Sequence, residues 1–311
     1  MADNDLAGNV LVVGSVHRDI TVLTRRLPGP GETLIGDGVV YGLGGKGANQ
    51  AVAVARSGVP VRLLGSVGDD DEGGRLRTML GDHGVGLALL RTAPELPTGT
   101  AHIIVEDGGE NSIIVVQGAN ASTTPEAIGE SATELAAATV VVLQSEIPAS
   151  SVIAALELLR DAPSQVVVNL APVVELPNSA WARVDVLVVN GTEAGQVLGA
   201  PPPRAVGDAR AAAAALARVA RASVVTLGPG GAVIAERDGR CLHLTAPVPE
   251  RVVDTTGAGD ALVGVLAAGL AQGASLADAA RAAVAAATST VVSLGAAPSY
   301  PLFSPATGEQ G

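Results

Sequence analysis

Asp254-Thr255-Thr256-Gly257-Ala258-Gly259-Asp260, running directly into the apolar segment Ala261 to Leu270, is the stretch on which the reading of this 311-residue chain turns. Glycines at 257 and 259 permit a tight turn into a helix, so the amides of Ala258, Gly259 and Asp260 can converge where the helix dipole favours negative charge. The anion suited to such a point is a phosphate. Asp260, at its rim, is placed to take the proton from a hydroxyl attacking phosphorus. A plain turn with a helix N-cap would use the same residue types, so other segments must decide.

The second segment is Gly42-Leu43-Gly44-Gly45-Lys46-Gly47-Ala48-Asn49-Gln50, which continues as a helical stretch to Ser57 and contains the only lysine of the chain. A lone Lys among four glycines marks a place where a polar ligand approaches the backbone. Gly42, Gly44 and Gly47 satisfy G-x-G-x-x-G, yet the dinucleotide fold needs an acidic residue about 20 positions on, and Arg62-Leu63-Leu64-Gly65 stands there. A phosphate-binding P-loop fails as well, because Gly47 rather than Ser or Thr follows Lys46.

Short Val/Leu/Ile runs alternate with Ala-rich helical stretches, the pattern of an α/β domain with a mainly parallel sheet. Buried strands are expected at 10–16, 61–67, 140–144, 166–170, 184–190 and 223–227, with helices at 193–198 and 205–220 on either side of a Pro201-Pro202-Pro203 surface loop. Asp19, Glu146, Asn169, Asn190, Glu193 and Gly228 to Gly231 lie at or just beyond strand ends, where open parallel sheets bind ligands, so one cleft is expected. Thr33 to Tyr41, Thr100 to Glu106 and Ser112 to Gln117 read as antiparallel strands, the last two joined by Asp107-Gly108-Gly109-Glu110-Asn111.

Composition narrows the class. With 48% hydrophobic residues the chain can bury a large core in one main domain. A net charge of −12 argues against nucleic-acid or membrane-surface partners. One cysteine, Cys241, excludes an internal disulfide and fits a cytoplasmic location, and neither an export signal nor a membrane span is read. Trp181, Tyr41, Tyr300 and Phe303 are all the aromatics, so recognition must rest on hydrogen bonds, which suits a polyhydroxylated ligand; adenine would lean on Val and Ala of the last helix.

Taken in order, Gly14-Ser15-Val16-His17-Arg18-Asp19, Pro30-Gly31-Glu32-Thr33, Gly44 to Gln50, Gln144-Ser145-Glu146-Ile147-Pro148, Asn169-Leu170-Ala171-Pro172, Asn190-Gly191-Thr192-Glu193, Thr226 to Gly231 and Asp254 to Asp260 resemble the ribokinase-like family of carbohydrate kinases over nearly the whole chain. The resemblance implies a single 1–311 domain with a three-layer α/β fold, a mainly parallel central sheet and a small β-sheet lid drawn from about 18–43 and 98–118. Lid closure would exclude water, and the lid is where a homodimer is expected.

The activity implied is transfer of the γ-phosphoryl group of ATP to a primary hydroxyl of a pentose, D-ribose first. Another sugar or a nucleoside remains open, as does a catalytically silent sugar-binding homologue. Asp260 is the expected base, and the amides of Gly257 to Asp260 hold the developing charge. The sugar is expected at His17, Asp19, Gly45, Lys46, Gly47, Asn49, Glu146 and Asp260, and the nucleotide at Asn190, Thr226, Gly228, Gly230, Gly231 and Gly259. Mg2+ is expected near Asn190 and Glu193, which would equally serve as a helix cap with a first-turn acid. K+ is expected beside Asp254 and Thr256, with carbonyls near Thr290, Ser293 and Gly295, plus Ser299. His17 stands where the family commonly has Asn, and Ala261-Leu262 where Thr-Phe is common, so the first departure bears on the sugar and the second on packing.

Overall fold

The computed structural model describes residues 8–106 and 111–303, so the expected hairpin connection at 107–110 lies outside the described residues. Among those described, one nine-stranded sheet has the spatial order Cys241–Leu244, Ala232–Glu236, Ala222–Thr226, Val186–Asn190, Gln165–Asn169, Val140–Gln144, Val10–Val13, Val61–Gly68 and Leu90–Ala93. Neighbours from Ala222–Thr226 onward are parallel, and the two remaining strands add an antiparallel edge.

Valine-rich strands suit burial on both faces, and their alternation divides the interior in two. Val10, Val12, Val140 and Val142 join the core beneath the helices Lys46–Arg56, Ala258–Ala271 and Leu276–Thr290. Leu11, Val13, Val141 and Leu143 join a second core with Ala149–Leu158 and Val206–Val219 on the opposite face. The result is the expected three-layer arrangement.

A second sheet of four strands has the order Gly38–Gly44, His17–Thr24, Gly99–Glu106 and Asn111–Val116. Here the expectation needs correction. The first strand of the chain stops at Val13 instead of Val16, and His17–Thr24 starts a separate strand in the small sheet. It pairs parallel to Gly99–Glu106 and antiparallel to Gly38–Gly44. The strand expected at 33–41 is shifted to 38–44 because Asp19 pairs opposite Gly42, which draws the glycine-rich segment into the sheet. The edge strands Leu90–Ala93 and Cys241–Leu244 were not expected; they are four residues each, too short to show alternation. The helices Gly191–Leu198 and Val206–Val219 flank the Pro201–Pro203 loop as expected. No helix among the described residues is long and apolar enough to cross a membrane.

Val10–Val13 has the later strand Val61–Gly68 on one side and Val140–Gln144 on the other, so the strand order reverses here. At such a switch point the connections diverge and leave a crevice beyond the carboxyl ends. Two helices start there. Lys46–Arg56 begins after Gly45 at φ 90°, and Ala258–Ala271 after Gly257 at φ 79°, a left-handed turn that only glycine makes without strain.

The two helices cross closely because Gly264 has no side chain. A Cβ there would lie 2.5 Å from the Cβ of Ala53 and 2.6 Å from the carbonyl oxygen of Gln50. Gly264→Ala is expected to force the helices apart and lower stability by about 1–3 kcal/mol, measured by urea unfolding. An unchanged midpoint would mean that the crossing is looser than described.

Candidate active site

The two glycine-rich signatures meet at Asp260. It sits in the first turn of Ala258–Ala271, and its Oδ2 accepts from Asn49 Nδ2 at 2.9 Å while Oδ1 accepts from Gln50 Nε2 at 3.0 Å. Both carboxylate oxygens are therefore fixed by amides from the first turns of the Lys46–Arg56 helix. Burial pushes the Asp260 carboxyl up; the Lys46 ammonium, then the Asn49 and Gln50 amides, work against it.

The anion pocket is narrower than the sequence suggested. Ala258 N donates to Thr255 O at 3.2 Å, closing the turn, so that amide is engaged. The amides of Gly259 and Asp260 have no carbonyl partner among the described residues and form the free first-turn donors. Gly257 supplies the turn, and its carbonyl accepts the hydroxyl of Tyr300 at 2.6 Å.

Glu146 ties three segments together. Its Oε2 accepts from Ser15 Oγ at 2.5 Å and from the Lys46 amide at 2.9 Å, which places a carboxylate at a helix N-terminus, and it lies 3.8 Å from His17 Nδ1. His17 is almost wholly buried, which lowers its pKa and keeps the ring neutral near pH 7. Its Cδ2 edge packs over Gly99, where a Cβ would lie 2.7 Å away, and Nε2 has no partner. Asp19 lies over Gly44, which must be glycine because a Cβ there would fall 1.8 Å from Asp19 Oδ1. Asp19 Oδ1 and Asn49 Oδ1 are buried acceptors without protein partners, as is the Ser145 hydroxyl. Such groups are costly unless a ligand satisfies them.

A cavity of about 420 Å³ opens between the small sheet and the strand ends, lined by Lys46, Val115, Gln117, Ser145, Glu146, Ala171, Pro172 and Glu193. Its size is that of a small-molecule site. The charges of Asp260, Glu146 and Glu193 raise the Lys46 pKa against the opposing effect of burial, Asp260 most. Gly45 and Gly47 hold the loop close to Ser15, since a Cβ on either would lie within 3 Å of its backbone.

Asn190 and Glu193 form a reciprocal cap: Asn190 Oδ1 accepts the Glu193 amide at 2.9 Å, and Glu193 Oε2 accepts the Asn190 amide at 2.8 Å. The helix-start reading thus holds, and Glu193 still reaches the cavity wall. Thr226 to Gly231 closes a hairpin in which Val224 pairs with Ile234, Leu227 N donates to Gly231 O, and Gly228–Gly230 forms a single 3-10 turn. Asp254 Oδ1 accepts the Thr256 amide and Oδ2 the Gly295 amide, both at 2.9 Å, while the Ser299 hydroxyl donates to Gly295 O. Thr290 spends its hydroxyl hydrogen on Ala287 O, and its carbonyl accepts from Ser293 N, leaving that carbonyl one further lone pair. A second concavity, about 560 Å³, lies between Pro247, Pro249 and Arg251 and the end of the last long helix at Ala285, Thr288, Ser289, Val292 and Ser293.

Sequence reasoning named Gln50, Gln144 and Asn169 within motifs but gave them no task. The available signal was amide side chains at two adjoining strand ends, Gln144 and Asn169, and in the helix after the glycine-rich loop, Gln50. Gln144 Nε2 donates to Gln50 Oε1 at 2.6 Å, and Gln50 Nε2 also donates to Asn169 Oδ1 at 3.0 Å.

Fold and site together define a carbohydrate kinase: residues 7–302 match the pfkB family carbohydrate kinases, and the chain belongs to that family. Among its relatives, ribokinase of Schizosaccharomyces pombe is 35% identical over 302 residues, covering 94% of this chain and 95% of the relative. Deoxyribokinase of Salmonella typhimurium is 34% identical over 295 residues, covering 94% and 95%. The solved structure of Arabidopsis thaliana ribokinase complexed with ribose and ATP superposes with a TM-score of 0.86 at 33% identity, covering 94% of this chain and 95% of that one.

Asp19 carries a testable pH effect. Burial, followed by the Glu146 and Asp260 charges, pushes its pKa from 3.8 up to about 7, with Arg18 opposing. The unfolded chain releases this proton near the ordinary value and the folded chain only near the raised one. The ligand-free protein therefore loses stability as pH rises from about 4 to about 7. Asp19→Asn is expected to remove that slope and to exceed the wild type above pH 7 by about 1 kcal/mol or more, with the gap closing towards pH 4. Parallel pH profiles of urea stability for the two proteins would contradict it.

Proposed function

We propose that this carbohydrate kinase transfers the γ-phosphoryl group of ATP to the primary hydroxyl of D-ribose, giving ribose 5-phosphate and ADP. The observation that carries the reading is the Asp260 carboxylate, anchored on both oxygens by Asn49 and Gln50, with the free amides of Gly259 and Asp260 in the same helix turn. The relatives named ribokinase, and the one complexed with ribose and ATP, supply the substrate.

In this mechanism the unpartnered oxygens of Asp19 and Asn49 accept hydroxyl protons of the sugar, and Glu146 borders the same space. His17, Gly45 and Gly47 shape the floor. The O–H bond of the primary hydroxyl breaks, its proton passes to Asp260, and its oxygen bonds to the γ-phosphorus as the bond to the bridging oxygen of ADP breaks. The amides of Gly259 and Asp260 stabilise charge growing on the phosphoryl oxygens. Burial, which raises the Asp260 pKa, makes the carboxylate a stronger base once ionised. The hairpin Thr226 to Gly231 borders the nucleotide, and the second concavity takes adenine by aliphatic contact at Pro247, Ala285 and Val292.

Carboxylates at Asp260, Glu146 and Glu193 outnumber the Lys46 ammonium, so the polyphosphate needs a counter-cation. Asn190 and Glu193 fit Mg2+ through water, since their capping bonds leave oxygen lone pairs free; bound Mg2+ neutralises charge on the phosphates. Asp254, Thr256, Thr290, Ser293, Gly295 and Ser299 fit K+ as a carboxylate with neighbouring carbonyls, stiffening the turn before Asp260. We place the reaction in the cytoplasm, where ATP is supplied. The whole 1–311 chain acts as one domain with the small sheet as lid. The apolar residues exposed on that lid, Val39, Tyr41, Ile114 and Val116 among them, suit a homodimer. 2-Deoxy-D-ribose is the second reading, favoured by the Salmonella relative and by a neutral imidazole at position 17.

Steady-state assays of ADP formation with ATP, Mg2+ and a panel of pentoses, hexoses and nucleosides are expected to give the highest kcat/KM for D-ribose, with K+ raising it. A preference for 2-deoxy-D-ribose would select the second reading, and no acceleration by any sugar would reject the kinase reading. Asp260→Asn is expected to bind nucleotide normally and to lose about 10²-fold or more in kcat. Full turnover in that variant would remove Asp260 as base.

A further inference from the structure

Three side chains, Gln50, Asn169 and Gln144, and one backbone carbonyl lie behind the reacting carboxylate. The Val186–Asn190 strand presents the carbonyl of Val188, which can only accept a hydrogen bond. Asn169, ending the adjacent strand, must turn its NH2 towards that carbonyl, and Nδ2 donates to it at 3.1 Å. Its Oδ1 then faces Gln50, which must answer with its own NH2: one hydrogen goes to Asn169 Oδ1 at 3.0 Å, and the other to Asp260 Oδ1 at 3.0 Å. The remaining oxygen of Gln50 accepts from Gln144 Nε2 at 2.6 Å. Each amide has one consistent orientation, dictated by a backbone oxygen two side chains away from Asp260.

Burial makes this sense of donation hard to reverse. Gln50 and Gln144 are wholly inaccessible to solvent, so a flipped amide would set oxygen against oxygen with no water to relieve it. The surroundings leave little room for an alternative rotamer. Gln144 lies against Gly14, where a Cβ would fall 1.7 Å from its Oε1, and Gly264 packs against the Gln50 backbone.

We propose that Gln50 is a positioning residue for phosphoryl transfer, held in one orientation by Asn169 and Gln144 so that it fixes the plane of the Asp260 carboxylate and presents that group only as an acceptor. The inference rests on Asp260 being the base. With N–H donors from Asn49 and Gln50 on its two oxygens, Asp260 has its accepted proton confined to the lone pairs those amides leave open. Gln50 acts on the transfer through its bond to Asp260.

The relay also bears on when the base is ionised. Asp260 is faced by Lys46, Glu146, Asp19, Glu193 and Tyr300 besides the two amides. Lys46, Asn49 and Gln50 favour the carboxylate, while burial and Glu146 favour the acid. Removing the Gln50 donor therefore shifts ionisation to higher pH. A kcat that needs ionised Asp260 then falls away earlier on the acid side.

Gln50→Leu, Gln50→Glu and Gln144→Leu, assayed with ATP, Mg2+ and the best sugar from the panel, test this. Gln50→Leu is expected to lose about 10- to 10²-fold in kcat with sugar and ATP KM within about threefold, and its acid limb should move to higher pH. Gln50→Glu keeps the shape and reverses the donor, so it should lose at least as much; Gln144→Leu should show a smaller loss in the same direction. ADP titration calorimetry and thermal melting report on folding. If Gln50→Leu does not fold, Gln144→Leu decides, since it leaves the Gln50–Asp260 contact in place and loosens only its anchor. Wild-type kcat and acid limb in the folded variants, or a loss confined to KM, would overturn the proposal. Asp260→Asn, run alongside, separates the two claims: if it is inactive while the Gln50 variants are unaffected, only the relay is wrong, and if it is active the base itself is wrong.

Discussion

The contact between the first turns of two helices, 210 residues apart in sequence at Gln50 and Asp260, is the constraint on which the site depends. Each helix starts from a glycine with positive φ, each start lies at the carboxyl edge of the sheet, and Gly264 brings the two bodies within touching distance. Without that crossing Asp260 would be an isolated buried acid, costly and without direction. With it, both carboxylate oxygens are held, and the adjoining amides of Gly259 and Asp260 remain available. Burial and orientation of Asp260 come from the same packing, so the cost of burying the acid and the bonds that direct it arise together.

The sheet supplies the other half of the constraint. Parallel strands end at one edge, and Gln144, Asn169 and Val188 occupy neighbouring strands near that edge. Polar groups placed there would be unsatisfied if they faced the apolar interior. They instead bond to one another and terminate on Asp260, with Gln144 Oε1 the one side-chain oxygen of the relay left unpartnered. Glu146, a few residues beyond Gln144, performs the matching service for the glycine-rich loop through Ser15 and the Lys46 amide. Both ends of the cleft are thus set by groups that follow the same buried strand.

Much of this was legible in the sequence because it rests on local rules. Val-rich runs of about five residues gave the mainly parallel α/β sheet and glycines before an apolar helix gave Asp260, whereas the three layers and Asn49 came with the family resemblance. Three features resisted for physical reasons. His17–Thr24 alternates weakly because it is half-buried along most of its length, so the break at Gly14–Val16 was invisible. Ala258 is indistinguishable in sequence from Gly259 as a donor, and only the turn geometry engages it with Thr255. Gln50 could be read as a polar residue in a motif, but its task depends on amide orientations relayed across three chain segments, which no local pattern encodes.

Acidity is the remaining tension, for a chain of net charge −12 has to attract a polyanion. Lys46, the sole lysine, stands where the loop, the cavity and the carboxylates of Asp260, Glu146 and Glu193 meet. A single ammonium among several carboxylates cannot hold a triphosphate by charge alone, since at close range each carboxylate repels about as strongly as the ammonium attracts. Its stronger effect is on its neighbours: it is the largest influence opposing the burial of Asp260, and it also favours ionisation of Glu193. Lys46 therefore works against burial at Asp260 and Glu193, favouring the carboxylate form of each.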